Sequence, residues 1–526
     1  MSDTPPAFRL TYATMFDPPA QLHERFDEAL QRVRAQLGAD HAMTIGGQRR
    51  GGAQWIDKRA PADARLQLGR FAAGTAADAR AAVDAARAAA PAWAATPWRE
   101  RVALLRRAAQ RIEARVFDLA AAVALEVGKN RMEALGEVQE TADLIAWYCD
   151  RMEEADGFER ALPDDPLPGW RSHNRTRLRP YGVWAVIAPF NFPFALAGGP
   201  VGAALVAGNT VVFKTASDTP WSGRLLMDVF EEAALPPGVV NLVAGAGGEV
   251  GDALVGAPDV AGVTFTGSHE VGTALLRRFA AGTRPRPVIA EMGGKNPAIV
   301  THHADLDRAA TGIVRSAFGL QGQKCSACSR VYVERSVADA LRERLVERTR
   351  AIAIGDPVLA AHWMGPVINA AAVARYRRAV DEIRAGGRVD VGGEVLQAGD
   401  FTHGHFVAPT VARVPYGHRL WRDELFLPLV LVGEVESLDE ALARANDSDY
   451  GLTAGFYGAP DEVEVFLDRI EAGVTYVNRP QGATTGAWPG YQPFGGWKGS
   501  GSTGKAIGSF WYLPQYLREQ SVTVVE

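Results

Sequence analysis

From Tyr181 onward the chain alternates short apolar runs with helix-like stretches, and few architectures accommodate that rhythm. The runs are "YGVWAVIAP", "AGNTVVFKT", "GVVNLVAG", "AGVTFTGS", "RPVIAEMGG" and "NPAIVT". Strand followed by crossover helix is the α/β signature, and it places ligands at the carboxyl ends of the strands. A second series follows from about Asp305, including "SRVYVE" and "GVTYVN", and "SVTVVE" predicts a last strand. Before Tyr181 helical periodicity dominates. "DARAAVDAARAAAPAW" is alanine-rich and amphipathic and is predicted to end near Pro91. Val102, Leu105, Ile112, Val116 and Leu119 recur at three and four, and residues 131–151 read as a further helix. "RSHNRTRLRP" is polar without helical spacing, as an exposed strand is.

A chain of 526 residues is long for a single core, so two or more domains are expected. Its 61 acidic residues outnumber 56 basic ones, which argues against a nucleic-acid partner. The N-terminus has no basic region followed by an apolar core, so no secretion signal is read. The stretch Val183 to Val212 is long enough to span a bilayer, but prolines, glycines and asparagines interrupt it. A buried sheet-and-helix unit is the expectation there, with no membrane insertion.

Three cysteines cannot build a disulfide framework, which suits a reducing compartment such as the cytoplasm. Cys149, between Tyr148 and a predicted helix end, reads as a packing residue. Cys325 and Cys328 are spaced C-x-x-C in "FGLQGQKCSACSR". A metal site would need further ligands, and His302 and His303 stand at no demanding spacing. Cys325 follows a flexible glycine-rich turn that can expose it to a cleft, as a nucleophile requires. Cys328 leads into a strand and reads as packing. Glu291 ends a strand-like run before two glycines, where a carboxylate can serve as general base. Asn191, between two prolines in "PFNFPF", offers a rigid amide for an oxyanion. Each has a plain alternative (a surface glutamate, a loop asparagine, a buried thiol), and their combination carries the case.

Two stretches suit a nucleotide. "GAGGEVG" (Gly245 to Gly251) has one residue too many for a dinucleotide fingerprint, and an ordinary turn accounts for it equally well. In "VTFTGSHEVG" a strand ends, Gly267 permits a tight turn, and Ser268 begins a helix whose free N–H groups suit a phosphate. Lys214, just past "TVVF", can bond sugar hydroxyls. Its neighbour Ser217 presents no carboxylate to a phosphate on that sugar.

The motifs "PFNFP", "VVFK", "FTGSHEVG", "EMGGKNP", "GQKC", "ELFLP" and "PFGG" together resemble the NAD(P)-dependent aldehyde dehydrogenase superfamily over nearly the whole chain. The resemblance implies a Rossmann-type cofactor domain (1–157 and 181–290), an α/β catalytic domain (291–492) and a β oligomerisation arm (158–180 and 508–526). It implies Cys325 as the catalytic thiol, Glu291 as the base, and Asn191 with the Cys325 N–H as the oxyanion hole. Lys214 and Glu424 match residues that hold the two riboses, Gly267 and Ser268 the pyrophosphate turn, and Phe426 a nicotinamide neighbour. Leu427 stands where the family usually has Gly, which implies altered nicotinamide mobility. Within the superfamily, "GQKCSACSRVYV" and "TGAWPGYQPFGG" most resemble the branch that oxidises L-glutamate γ-semialdehyde to glutamate in proline breakdown. On that resemblance Ser326, Gly486 and Ala487 anchor the substrate's α-carboxylate, and Phe192 and Phe494 sandwich its aliphatic part. NAD is the implied cofactor, NADP its alternative, and a homodimer the smallest implied assembly. The rivals are another semialdehyde or aromatic aldehyde dehydrogenase, and a non-enzymatic structural protein retaining the fold.

Overall fold

The structure, a computed structural model, describes residues 10, 18–166, 168–483 and 488–526. Two seven-stranded sheets organise it. The first runs, in spatial order, Val288–Glu291, Val260–Thr266, Val183–Ile187, Thr210–Lys214, Val240–Val243, Met43–Ile45 and Gln48–Arg50. Its first five strands are parallel and the last two antiparallel. Among the parallel strands the chain begins at Val183–Ile187, builds outward through Thr210–Lys214 and Val240–Val243, then returns to the other side of its starting strand with Val260–Thr266. The strand order therefore reverses between Val183–Ile187 and Val260–Thr266, and a crevice opens beyond their carboxyl ends. Phe190, Asn191, Gly267 and Ser268 follow those two ends directly.

The second sheet runs Arg388–Val391, Thr410–Arg413, Leu429–Val435, Cys328–Glu334, Asn296–Val300, Thr453–Tyr457 and Val474–Val477. Only its first strand is antiparallel. The central strands of both sheets are buried along their length, because helices cover both faces of a parallel sheet. A third, antiparallel sheet pairs Glu159–Leu162, Ser172–Pro180 and Leu517–Val525, the middle and last strands in register over nine residues.

Several elements differ from what the sequence predicts. The alanine-rich helix runs through Pro91 to Ala95. Proline forfeits a bond to the carbonyl four residues back, but Pro91 and Arg87 are both exposed, so water can serve that carbonyl. Buried Trp93 anchors the final turn. The periodic segment after Arg99 divides at Arg115 into helices Trp98–Ala114 and Val116–Val127. A small sheet of Ala39–His41, Gln54–Ala60 and Asp63–Ala73 had no reading in the sequence. Val183 to Val212 resolves into strand, loop, helix Ala195–Ala207 and the start of the next strand. Among the described residues no helix is long and apolar enough to cross a membrane.

Candidate active site

The site lies where the two sheets meet. Glu291 ends an edge strand of the first sheet, and residues 292–295 carry the chain to Asn296, which opens a strand of the second. Four residues span at most about 14 Å, so the carboxyl end of one sheet abuts the amino end of the other. Glu291 is 8% exposed and accepts a hydrogen bond from Gly496 N at 3.3 Å. Burial pushes its carboxyl up to about 8.

Cys325 sits in the loop before strand Cys328–Glu334. Leu320, Gln321 and Gly322 there take successive positive φ values of 46°, 54° and 65°. Non-glycine residues hold such a turn only where their surroundings over-determine it. Glu133 Oε1 accepts from Leu320 N (2.8 Å), and Gln323 Oε1 accepts from Ile368 N (3.0 Å). The Gln321 amide, oriented to satisfy both its atoms, accepts from Gly365 N at 2.8 Å and donates to Pro366 O at 3.1 Å. At Gly322 any Cβ would collide with the Leu427 carbonyl. Buried Asn296 ties down the far side. Its Nδ2 donates to Cys325 O (2.6 Å) and Ala327 O (3.0 Å), and its Oδ1 accepts from Thr453 N (2.9 Å).

All three cysteines are free. Cys325 alone is partly exposed, and Cys149 and Cys328 are buried. The C-x-x-C pair is therefore not joined, and Cys328 packs in the core of the second sheet with its thiol toward Arg330 O. His302 and His303 instead face Glu334 and Glu462. Burial pushes the Cys325 thiol up to about 12, and the negative charges of Glu424 and Glu291 reinforce the rise. The backbone N–H groups of Ser326 and Cys325 act against it. Gly294, three residues beyond Glu291, joins the three: its N–H donates to Glu424 Oε1 at 2.9 Å, and a Cβ there would stand 2.5 Å from Cys325 O.

Asn191 is 3% exposed, and among the described residues its side-chain amide has no hydrogen-bond partner. Its amide is therefore not consumed by any described residue. Phe190 before it meets Phe426 edge-on at 5.7 Å between centroids. Phe192 after it carries the Lys129 ammonium 3.6 Å above its ring.

The cofactor candidates gather at the same end of the first sheet. Lys214 is 4% exposed, donates to Thr215 O (3.0 Å), and is pulled down to about 8 by burial. Among the described residues it has no ion-pair partner. A Cβ at Gly251 would lie 3.7 Å from Lys214 Cε, so the glycine turn Gly247–Gly251 adjoins Lys214. In the sequence that turn reads equally well as an ordinary strand-to-helix turn. Ser217 donates to Gly245 O at 3.2 Å. Ser268 caps helix His269–Ala280, accepting from Val271 N at 3.4 Å. Gly267 precedes it because a Cβ would stand 2.5 Å from the Phe265 ring. Glu424 Oε1 accepts from Gly294 N (2.9 Å), and burial pushes its carboxyl up to about 7. Phe426 takes a left-handed φ of 58°. A helix start at the strand-order reversal, a bare glycine turn and a buried amine together fit a dinucleotide.

Ser326 and Phe494 are buried. The Ser326 carbonyl accepts from Thr453 Oγ1 (3.2 Å), and the Phe494 backbone exchanges two bonds with Ile507. Gly486 and Ala487 lie outside the described residues. Leu427 packs its side chain among Leu425 and Leu429 in the core. Sequence reasoning missed Lys129, Glu133, Glu137 and Asn296, whose partners lie 8 to 187 residues away.

A profile described as the aldehyde dehydrogenase family matches residues 49–522. The 1-pyrroline-5-carboxylate dehydrogenase of Geobacillus sp. (strain WCH70) is 38% identical over 510 residues, covering 95% of this chain and 96% of that protein. The crystal structure of 1-pyrroline-5-carboxylate dehydrogenase from Thermus with bound NAD superposes with a TM-score of 0.92 at 34% identity, over 99% of both chains. Lactaldehyde dehydrogenase from Escherichia coli gives a TM-score of 0.85 at 35% identity, over 93% of this chain and all of that one.

Proposed function

Because the chain belongs to the aldehyde dehydrogenase family, we propose that it oxidises L-glutamate 5-semialdehyde to L-glutamate with NAD, as a step of proline degradation. The semialdehyde is the open form of 1-pyrroline-5-carboxylate. The observation that carries the reaction is the seam itself, where the partly exposed Cys325 stands across from the buried carboxyl of Glu291. Full-length likeness to 1-pyrroline-5-carboxylate dehydrogenases supports this aldehyde. The lactaldehyde dehydrogenase matches at similar identity, which keeps another small aldehyde or semialdehyde as the second reading.

In this reading the Cys325 thiol gives up its proton to solvent water and its sulfur adds to the aldehyde carbon. The oxygen gains negative charge, met by Asn191 Nδ2–H and Cys325 N–H. Nicotinamide, when bound, supplies the two-electron acceptor, and the carbon is left as a thioester on Cys325. Glu291 takes a proton from water, the hydroxide adds to the thioester, and the carbon–sulfur bond breaks to release acid and thiol. Lys214 and Glu424 hold the two riboses, the helix start at Gly267 and Ser268 holds the phosphates, and Phe426 flanks the nicotinamide. Ser217 offers no carboxylate against a 2′-phosphate, so NADP is the alternative acceptor. Ser326, with Gly486 and Ala487, holds the α-carboxylate through hydroxyl and backbone donors, while Phe192 and Phe494 flank the methylenes.

The test compares kcat/KM for pyrroline-5-carboxylate, succinate semialdehyde, lactaldehyde and propanal. The proposal expects pyrroline-5-carboxylate to lead by about tenfold or more, the least that one well-placed pocket contact contributes to discrimination. A lead by any other aldehyde refutes the substrate and leaves the reaction class standing.

A further inference from the structure

One helix, Arg131–Glu154, touches both loops that carry the candidate chemistry. Glu137 Oε1 accepts from Phe194 N (2.8 Å) and Ala195 N (3.3 Å), the first N–H groups of the helix that follows the Asn191 loop. Glu137 Oε2 pairs with Lys129 Nζ at 2.6 Å, both side chains fully buried, and Lys129 in turn covers the Phe192 ring. One turn earlier, Glu133 Oε1 accepts from Leu320 N in the left-handed turn five residues before Cys325. Gly319 leaves room for this: a Cβ there would stand 3.0 Å from Glu133 Oε1 and 2.6 Å from Lys324 Nζ.

Residues four apart on a helix stand one above the other, so the spacing of Glu133 and Glu137 is rigid. Each carboxylate accepts backbone N–H groups at the root of a different loop. We propose that Glu133 and Glu137 are positioning residues that fix the nucleophile loop against the oxyanion loop, and so set the place of Cys325 relative to Asn191. Neither acts on substrate. Burying the Lys129–Glu137 pair is costly unless every polar atom is satisfied, and here the second carboxylate oxygen is spent on the loop. This inference rests on the roles proposed above for Cys325 and Asn191.

Reach and charge separate positioning from a merely structural role. Glu137→Asp keeps the charge for Lys129 but withdraws the oxygens from Phe194 and Ala195 by one methylene. Glu137→Gln keeps the reach and abandons Lys129. Three readouts are taken on the intact protein: melting temperature, acylation of Cys325 by an activated ester, and alkylation of Cys325 by iodoacetamide. Acylation needs thiol and oxyanion donors, alkylation the thiol alone, and neither needs nicotinamide or a particular aldehyde. The expected result is that E137D melts close to wild type yet acylates about 10²-fold more slowly, the cost of a misplacement near 1 Å, with alkylation unchanged. E137Q should melt lower and acylate nearly as fast as wild type. The Glu133 pair should differ in one respect: E133D slows alkylation as well, because its loop carries the thiol, whereas E133Q restores both.

Acylation that tracks melting temperature across the four variants overturns the proposal, as does wild-type acylation in both aspartate variants. Should the Glu137 variants fail to fold, the Glu133 pair decides by the same comparison. A wild-type protein that acylates from the ester but oxidises no aldehyde refutes the oxidation reading, and the clamp is still judged by the variants.

Discussion

Cys325 and Glu291 are both held in their neutral forms by burial, and the negative charges of Glu424 and Glu291 make the Cys325 thiol harder still to ionise. A carboxyl near 8 is protonated below that pH and unable to accept a proton from water. The hydrolytic half of the reaction should therefore weaken as pH falls below about 8, and kcat should climb with pH through that value. Stopped-flow turnover between pH 6 and pH 9, both round values chosen to bracket about 8, checks it. A flat profile would mean that another group limits turnover. Asn296 makes a separate prediction at this scale. Asn296→Ala leaves two carbonyls and one N–H without their buried partner. The cost should be about 2–4 kcal/mol in urea unfolding, with slower Cys325 alkylation as the loop loosens.

Lys214 and Glu291 stand where strands end, and Ser268 where a helix begins. Ser268 and Gly267 open a helix at the strand-order reversal, and the glycine is needed because the Phe265 ring fills the space a Cβ would take. Gly267→Ala should raise the Kd for NAD by about tenfold, equivalent to ~1.4 kcal/mol, with Cys325 alkylation unchanged. Titration by nicotinamide-induced fluorescence quenching reads it. The strands were legible because short apolar runs bounded by glycine and proline have few other uses, and "TVVF" and "VTFT" appear as Thr210–Lys214 and Val260–Thr266. The end of the first long helix was not, since Pro91 argued for a stop that a buried tryptophan overrides. Cys325, Asn191 and Glu291 stand in local motifs that make them candidates from sequence alone. Lys129, Glu133, Glu137 and Asn296 were not, because a buried lysine or glutamate on a helix looks like any surface charge until the fold brings its partner. The same holds for the glycine turn beside Lys214.

The assembled molecule supplies what no single element has: the carboxyl ends of one sheet set against the amino ends of another, with Glu291 and Cys325 on opposite sides of the seam. The three-stranded antiparallel sheet stands apart from that seam. Its outer strand Leu517–Val525 leaves Val524 and Val525 half-exposed, and such an edge invites pairing with another chain. If a second copy of the chain pairs there, as we propose, deleting residues 518–526 should lower the mass in light scattering to that of a monomer, whereas an oligomer of unchanged mass would place the interface elsewhere. The seam is tested most directly by the first turnover of Glu291→Gln with NAD and pyrroline-5-carboxylate. A Cys325 thioester awaiting Glu291 predicts one equivalent of reduced nicotinamide per chain in a burst, then turnover slowed by about 10² or more, with no burst in Cys325→Ala. Steady turnover by Glu291→Gln at the wild-type rate, or a burst that survives in Cys325→Ala, would contradict it.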